Sequence, residues 1–106
     1  MNPQFKKGVL ELCVLSLFSK GDKSGYELTE GISKQMSIAA GTLYLVLKRL
    51  NDEGYFSTYL VESESGPARK YYRLTEKGKN HQQALKEGWY EFIEQVDHLI
   101  KENSND

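Results

Sequence analysis

Four basic residues occur in two segments where their charges can act together. Lys48 and Arg49 lie in the leucine-rich segment GTLYLVLKRL, and Arg69 and Lys70 follow a Gly-Pro pair in GPARKYYRLT. Lysine and arginine side chains bind phosphate oxygens through their charge and their N–H donors. For each residue taken alone, a solvated surface charge is the ordinary alternative. If the two segments fold onto one face, the four residues are candidates for binding a polyanion.

The remaining titratable residues show no arrangement typical of an enzyme or a metal site. His81 and His98 are 17 positions apart and have no cysteine or acidic residues at metal-ligand spacing. No glycine-rich phosphate loop follows a strand pattern, and no Ser–His arrangement is typical of a nucleophile. We therefore predict that the chain is not an enzyme and has no catalytic residue, no metal and no cofactor.

A helix must position the first basic pair. Apolar residues three to four positions apart predict a helix that begins at Ser37 or Ala40 and ends near Glu53, where Gly54 stops it. The residues expected on its buried side are Leu43, Val46 or Leu47, and Leu50. The basic pair then lies on the other faces of this helix.

A hairpin must position the second basic pair. Alternation over residues 55–63 predicts a strand, Gly66-Pro67 predicts a turn, and residues 70–75 predict the returning strand. The segment as a whole has the order helix, strand, wing, strand, helix. That order is typical of a winged helix-turn-helix.

Two further helices precede this unit. Residues 9–19 are apolar on nearly all sides, so we expect both the core and a partner subunit to cover this helix. Ser24 can cap a second helix from Gly25 to about Met36, and the candidates for its inward side are Tyr26, Leu28 and Ile32. The expected fold is mainly α with a small β-hairpin.

The C-terminal segment predicts one long helix, which is capped by Thr75 and extends from about Glu76 to Asn103. Its apolar residues are spaced four, three, four, three, which is the heptad repeat by which two helices pack along their length. We call these residues the C-terminal stripe: Leu85, Trp89, Phe92, Val96 and Leu99. The stripe predicts a homodimer, and packing of the helix on its own domain is the alternative. We divide the chain into a winged helix-turn-helix domain, 1–75, and a dimerisation helix with a short tail, 76–106.

Composition and charge fit one small globular domain. The chain has 106 residues, of which 39% are hydrophobic and 27% are charged, and this balance is not that of a disordered segment. Residues 1–79 contain 12 Lys/Arg and 9 Asp/Glu, whereas residues 80–106 contain 2 and 6. One face can therefore be basic although the net charge is −1.

The cysteine and the N-terminal segment indicate the compartment. Cys13 is the single cysteine, so no disulfide can form within the chain, and a small core residue is its expected role. Glu11 interrupts the apolar N-terminal segment, which argues against a signal peptide. No apolar run approaches the roughly 20 residues that a membrane-spanning helix needs. We expect a cytoplasmic protein that does not contact a membrane.

Several motifs in order resemble the PadR family of bacterial transcriptional regulators. They are GYEL at 25–28, GTLYLVLKRL at 41–50, EGY at 53–55 and GPARKYYRLTEKGK at 66–79. The length is similar to that of the small branch of the family, which has a single C-terminal dimerisation helix. Two positions depart from the family pattern, because Leu45 and Ala68 stand where proline is usual. The first departure affects base preference rather than the fold.

The resemblance implies that the helix over residues 40–53 enters the major groove of duplex DNA. It places Ser37, Thr42 and Tyr44 at the DNA-facing end, where their hydroxyls can bind phosphates or base edges. Tyr26 is a phosphate-contact candidate by the same resemblance. Core packing is the alternative for Tyr44.

The basic residues complete the expected DNA interface. Lys48 and Arg49 lie further along the recognition helix, where backbone phosphates are within reach. Arg69 and Lys70 follow the wing turn and can reach the adjacent minor groove or backbone. Such contacts position a protein on DNA and carry little sequence information.

A dimer would present two recognition helices to an inverted-repeat operator, with half-sites about 34–36 Å apart. Binding there would exclude polymerase, so repression is the expected output. Trp89 lies on the C-terminal stripe, and some drug-sensing relatives hold planar aromatic compounds between paired tryptophans. A planar aromatic effector that releases the DNA is therefore a candidate ligand, and ordinary interface packing of Trp89 is the alternative.

Two non-enzymatic functions compete with a DNA-binding regulator. A winged helix used only for protein–protein assembly would have the same fold and stripe but would not need a basic wing. RNA binding would need an exposed aromatic platform for single strands, which the sequence does not indicate.

Overall fold

The computed structural model describes residues 3–104, and the side chains of residues 8–104. Residues 1–2 and 105–106, at the ends of the two predicted domains, lie outside the described residues. The elements in chain order are α1 Pro3–Leu17, β1 Lys23–Ser24, α2 Gly25–Ser33, α3 Ala40–Asp52, β2 Phe56–Ser63, β3 Gly66–Leu74 and α4 Glu76–Glu102. Helices, one small sheet and a long final helix match the predicted fold class.

The core lies where α1, α2 and α3 meet the base of the hairpin. Its buried side chains are Leu10, Val14, Leu15, Phe18, Leu28, Ile32, Leu43, Val46, Leu47, Leu50, Phe56 and Leu74. The predicted buried side of α3 is confirmed, and Val46 and Leu47 are both buried. Cys13 is only half-buried at the edge of this core, where its Sγ lies 3.9 Å from Met36 Sδ. Burial raises the pKa of the Cys13 thiol.

Ser24 caps α2 as predicted. Its hydroxyl accepts a hydrogen bond from the Glu27 backbone N–H at 3.2 Å, and the Glu27 carboxylate accepts one from the Ser24 backbone N–H. The second bond is the main cause that lowers the pKa of Glu27. The helix ends at Ser33 and not near Met36, because the chain turns there and Ile38 packs against the core.

The start and end of α3 differ in how they are capped. The helix begins at Ala40, so Ser37 lies in the preceding loop, and the N-cap residue Ala39 provides no side-chain hydrogen bond. At the other end, Gly54 has a φ of +86°, which a glycine adopts without steric cost. The Lys77 ammonium of α4 donates a hydrogen bond to the Glu53 carbonyl at 2.6 Å. The C-terminal end of α3 is therefore joined to α4.

The hairpin turn lies two residues earlier than the sequence pattern predicts. The turn is formed by residues 64–65, and Ser63 pairs with Gly66. Gly66-Pro67 therefore begins β3 instead of forming the turn. As a result Arg69 and Lys70 lie within a strand and not directly after the turn. In the opposite strand β2, the register is irregular between Val61 and Ser63.

The sheet has a third strand that the sequence analysis did not predict. Its order is β1-β3-β2, all antiparallel, and β1 pairs through Lys23 with Tyr72 and through Ser24 with Tyr71. Asp22, just before β1, accepts hydrogen bonds from Tyr59 at 2.7 Å and from Arg73 at 3.0 Å. The Tyr59 hydrogen bond is the main cause that lowers the pKa of Asp22. These contacts hold the outer face of the hairpin to the start of α2.

The long final helix begins as predicted, with the Thr75 hydroxyl accepting a hydrogen bond from the Gly78 backbone N–H at 3.1 Å. Gly78 is buried against the Tyr55 carbonyl, and any side chain there would collide with that backbone. The first turns of α4 pack on α1 and β3, and the 27-residue helix then extends beyond them. No helix within residues 3–104 is both long and apolar enough to cross a membrane.

Candidate nucleic-acid interface

An open groove of about 400 Å³ lies between the start of α2, the recognition-helix candidate α3 and the hairpin. It brings together four of the eight residues that the sequence analysis assigned to DNA. The groove is lined by Ser24, Gly25, Tyr26, Tyr44, Arg69, Lys70 and Tyr72. Three elements distant in sequence therefore contribute hydroxyl and cationic groups to one face.

Two of the three tyrosines of the groove, Tyr26 and Tyr44, come from different helices. Tyr26 is the second residue of α2, and its hydroxyl donates a hydrogen bond to Glu30 Oε1 at 3.0 Å. This hydrogen bond raises the pKa of Tyr26, and it uses the single proton that the phenol can donate. Tyr44 is exposed on α3 and its ring lies against Gly25, which has no side chain to displace it. Tyr44 is therefore not packed in the core, which was the alternative for this residue.

The two basic residues of the groove come from β3. Arg69 pairs with Val61 and Lys70 pairs with Leu60 across the hairpin. The Lys70 ammonium lies 5.6 Å from the centre of the Tyr72 ring, a cation–π contact that leaves its N–H donors exposed to solvent. Among residues 8–104, neither Arg69 nor Lys70 forms an ion pair with a carboxylate. Their charges are therefore available to an external anion.

The remaining predicted contacts of α3 and its preceding loop are exposed. Ser37 lies three residues before the helix, and Thr42 lies in its first turn. Lys48 forms a solvent-exposed ion pair with Asp52 at 3.0 Å, which contributes little stability and can be exchanged for a phosphate. These three residues extend the groove along the outer side of α3.

Arg49 is held differently from the other predicted residues. Its guanidinium binds Glu11 of α1 at 3.2 Å and Glu53 at 3.2 Å, and the Glu11 side chain is only 15% exposed. The second Glu11 oxygen lies 2.6 Å from Nε2 of His81 on α4. We call Glu11, Arg49 and His81 the interhelix cluster, because it connects α1, α3 and α4. No sequence pattern predicts this cluster, although an isolated acid in the apolar α1 segment needs a polar partner.

The C-terminal stripe is incompletely covered within one chain. Leu85 and Trp89 are half-buried beside α1, in an apolar groove of about 300 Å³ that also contains Phe92. Further along, Val96 is half-buried, Phe92 is 44% exposed and Leu99 is 60% exposed. Gly78 is the only fully buried residue of α4 in the described part of the chain. The distal part of the C-terminal stripe therefore presents apolar surface to solvent.

Three helices around one core, a β-hairpin packed beside the third helix and a cationic groove between them define a winged helix-turn-helix protein. The sequence profile of the transcriptional regulator PadR-like family matches residues 14–84. This chain belongs to that family. The family comprises transcriptional regulators, so the prediction that the chain is not an enzyme is confirmed.

Known relatives agree with this assignment. The chain is 32% identical over 75 residues to the negative transcriptional regulator PadR of Bacillus subtilis, covering 67% of this chain and 41% of that protein. A PadR-like transcriptional regulator from Bacillus cereus superposes with a TM-score of 0.80 at 34% identity, covering 92% of this chain and 96% of that one. The structure of Bacillus subtilis PadR in complex with operator DNA superposes with a TM-score of 0.64 at 30% identity, covering 72% and 45%.

Proposed function

We propose that this chain is a dimeric repressor that binds an inverted-repeat DNA operator and is released by a small planar aromatic effector. The observation that carries the proposal is the groove that unites Tyr26 and Tyr44 with Arg69 and Lys70 beside the exposed start of α3. Phosphate oxygens accept hydrogen bonds from hydroxyls and cations such as these, and in the described part of the chain Arg69 and Lys70 form no ion pair. The Tyr26 hydroxyl binds a phosphate once it leaves Glu30. The operator-bound structure of the Bacillus subtilis relative supports duplex DNA as the partner.

In the proposed complex, the N-terminal half of α3 enters the major groove. Thr42 and Tyr44 approach base edges or phosphates there, and Ser37 approaches the backbone from the preceding loop. Lys48 leaves Asp52 for a phosphate, while Tyr26, Arg69 and Lys70 bind the backbone on the wing side. Arg49 takes no part, because its guanidinium is bound by Glu11 and Glu53.

The C-terminal stripe is the proposed dimer contact. Phe92, Val96 and Leu99 follow heptad spacing and are not covered by the core, so burial against a second copy removes apolar surface from water. A two-fold dimer presents two α3 helices to half-sites about 34–36 Å apart. Repression follows if the operator overlaps a promoter, and the Bacillus subtilis relative is itself a negative regulator. A protein with this role works in the cytoplasm, beside the bacterial chromosome.

The effector is proposed to stack on Trp89. The apolar groove beside α1 is lined by Gly8, Val9, Leu12, Ala84, Leu85, Gly88, Trp89 and Phe92. A flat aromatic molecule fits the chemistry of this lining, and its insertion would alter the spacing of the two recognition helices. Because Trp89 is the single tryptophan, its fluorescence reports occupancy. If planar aromatic compounds quench the Trp89 fluorescence but do not weaken DNA binding, the proposed release of DNA by an effector at Trp89 is refuted.

The experiment that tests the proposal is selection of bound duplexes from a random DNA pool at moderate salt. Enrichment of an inverted repeat with half-sites one helical turn apart is the expected result. A folded, dimeric protein that enriches no sequence would reject operator binding and favour a protein–protein assembly module. Enrichment of a single half-site would retain DNA binding and reject the dimeric arrangement.

A further inference from the structure

Leu45 is a large apolar side chain that points into solvent from the middle of the outward face of α3. It is 70% exposed, whereas the other apolar residues around it, Leu43, Val46 and Leu47, are buried. Exposing a leucine there lets the side chain contact a partner that covers α3. In the proposed function that partner is the floor of the major groove.

Leu45 is the most exposed apolar side chain on this face of α3. Gly41 lies four positions earlier and Lys48 three positions later, which in a helix is the same side. Gly41 has no side chain, and an added Cβ there would meet no other atom within 4 Å. The Lys48 ammonium is directed toward Asp52, one turn further along the helix. Thr42, three positions earlier, shares this side with a smaller side chain, and Arg49, four positions later, is bound by Glu11 and Glu53.

The chemistry of leucine limits what this projection can recognise. It has no hydrogen-bond donor or acceptor, so it cannot pair with the polar edges of adenine, guanine or cytosine. The C5-methyl of thymine is the one apolar group that bases present in the major groove. Contact between the two buries apolar surface on both sides, whereas any other base leaves a polar edge unsatisfied.

We propose that Leu45 selects thymine at one position of each operator half-site by apolar contact with its C5-methyl group. This inference rests on the proposed function, because it requires α3 to lie in the major groove. It assigns base discrimination to a residue outside the groove-lining set, and it leaves Tyr26, Arg69 and Lys70 to bind the backbone without reading sequence.

The first test compares duplexes selected by the wild-type protein with those selected by Leu45→Ala. Alanine favours a helix and the site is exposed, so the variant should fold normally. The expected result is one strongly preferred thymine in each wild-type half-site, which becomes degenerate with Leu45→Ala while the other positions persist. Identical preferences for the two proteins would overturn the inference and leave operator binding intact. Failure of the wild type to enrich any sequence would reject operator binding, and the inference with it.

The second test removes only the methyl group. Replacing the selected thymine by deoxyuridine should weaken wild-type binding by about fourfold per half-site, the effect of one buried methyl-sized group. With Leu45→Ala, thymine and deoxyuridine should bind equally. The matched control is Leu60→Ala, which truncates another leucine of 70% exposure on the hairpin and should keep the full thymine effect. A deoxyuridine effect that persists with Leu45→Ala would overturn the inference.

Discussion

The ring of Tyr44 lies over Gly25 so closely that a Cβ added to Gly25 would come 2.9 Å from Tyr44 Cε1. The two residues belong to α3 and α2, and both line the proposed DNA-binding groove. The absence of a side chain at residue 25 thus leaves room for the Tyr44 ring in this position.

Gly25→Ala should therefore weaken duplex binding without unfolding the protein. The ring of Tyr44 is exposed and can move aside, and alanine suits the first turn of a helix. Loss of one well-placed hydrogen bond predicts a Kd about three- to tenfold higher by fluorescence anisotropy, with an almost unchanged Tm. In a Tyr44→Ala background the same change should have no further effect on Kd. Equal losses in both backgrounds would show that Gly25 acts independently of Tyr44.

Removing both wing charges should weaken binding to every duplex. Arg69→Ala with Lys70→Ala eliminates two proposed phosphate contacts, so the slope of log K against log salt should fall by about two. Titrations from low to moderate salt measure this slope. The control is Lys86→Ala with Lys101→Ala, which removes the same charge from α4. If the control and the wing variant have the same slope, the wing does not contact the backbone.

A carboxylate within the C-terminal stripe should dissociate the proposed dimer. Val96→Glu places two like charges in an apolar contact, so we expect the dimer dissociation constant to rise at least about 100-fold. Light scattering after size-exclusion chromatography measures the mass, and circular dichroism should be unchanged because Val96 is outside the core. Asn80→Glu adds the same group to an exposed position of α4 and should leave the dimer intact. A dimeric Val96→Glu protein would place the interface elsewhere.

Glu11→Ala should destabilise the fold through the interhelix cluster. The change removes the shared partner of Arg49 and His81, and we expect a loss of about 2 kcal/mol in the free energy of unfolding. Urea denaturation measures the loss. Glu53→Ala removes only the more exposed partner of Arg49, and its expected cost is below about 0.5 kcal/mol. Similar costs for the two variants would mean that Glu11 does not connect the helices.

The helical parts of the fold could be predicted because their signals are local. Apolar residues at helical spacing identified the buried side of α3, and Ser24 identified the start of α2. The hairpin turn was predicted two residues late, since Gly-Pro is favoured in turns but the strand register is set by pairs such as Phe56 with Leu74. The strand β1 has two residues, too few for any pattern.

The candidate site was only partly predictable for the same reason. Arg69 and Lys70 were found as adjacent charges, and the resemblance to a family added Tyr26 and Tyr44. Arg49 was predicted to face phosphates, but its partner Glu11 lies 38 positions away, and no local pattern indicates such a contact. Long-range ion pairs decide which charges on a helix remain available, and they become visible only in the folded chain.

The bonds from α1 and α4 to the end of α3 have a consequence for hydrogen exchange. Lys77 binds the Glu53 carbonyl and Glu11 binds both Arg49 and His81, so the end of α3 cannot fray unless the first turns of α4 also separate. Amides of these two segments should therefore exchange together, as one cooperative unit, at a rate near that of global opening. In the monomer, amides beyond Val96 should exchange much faster, and dimerisation should slow those amides first.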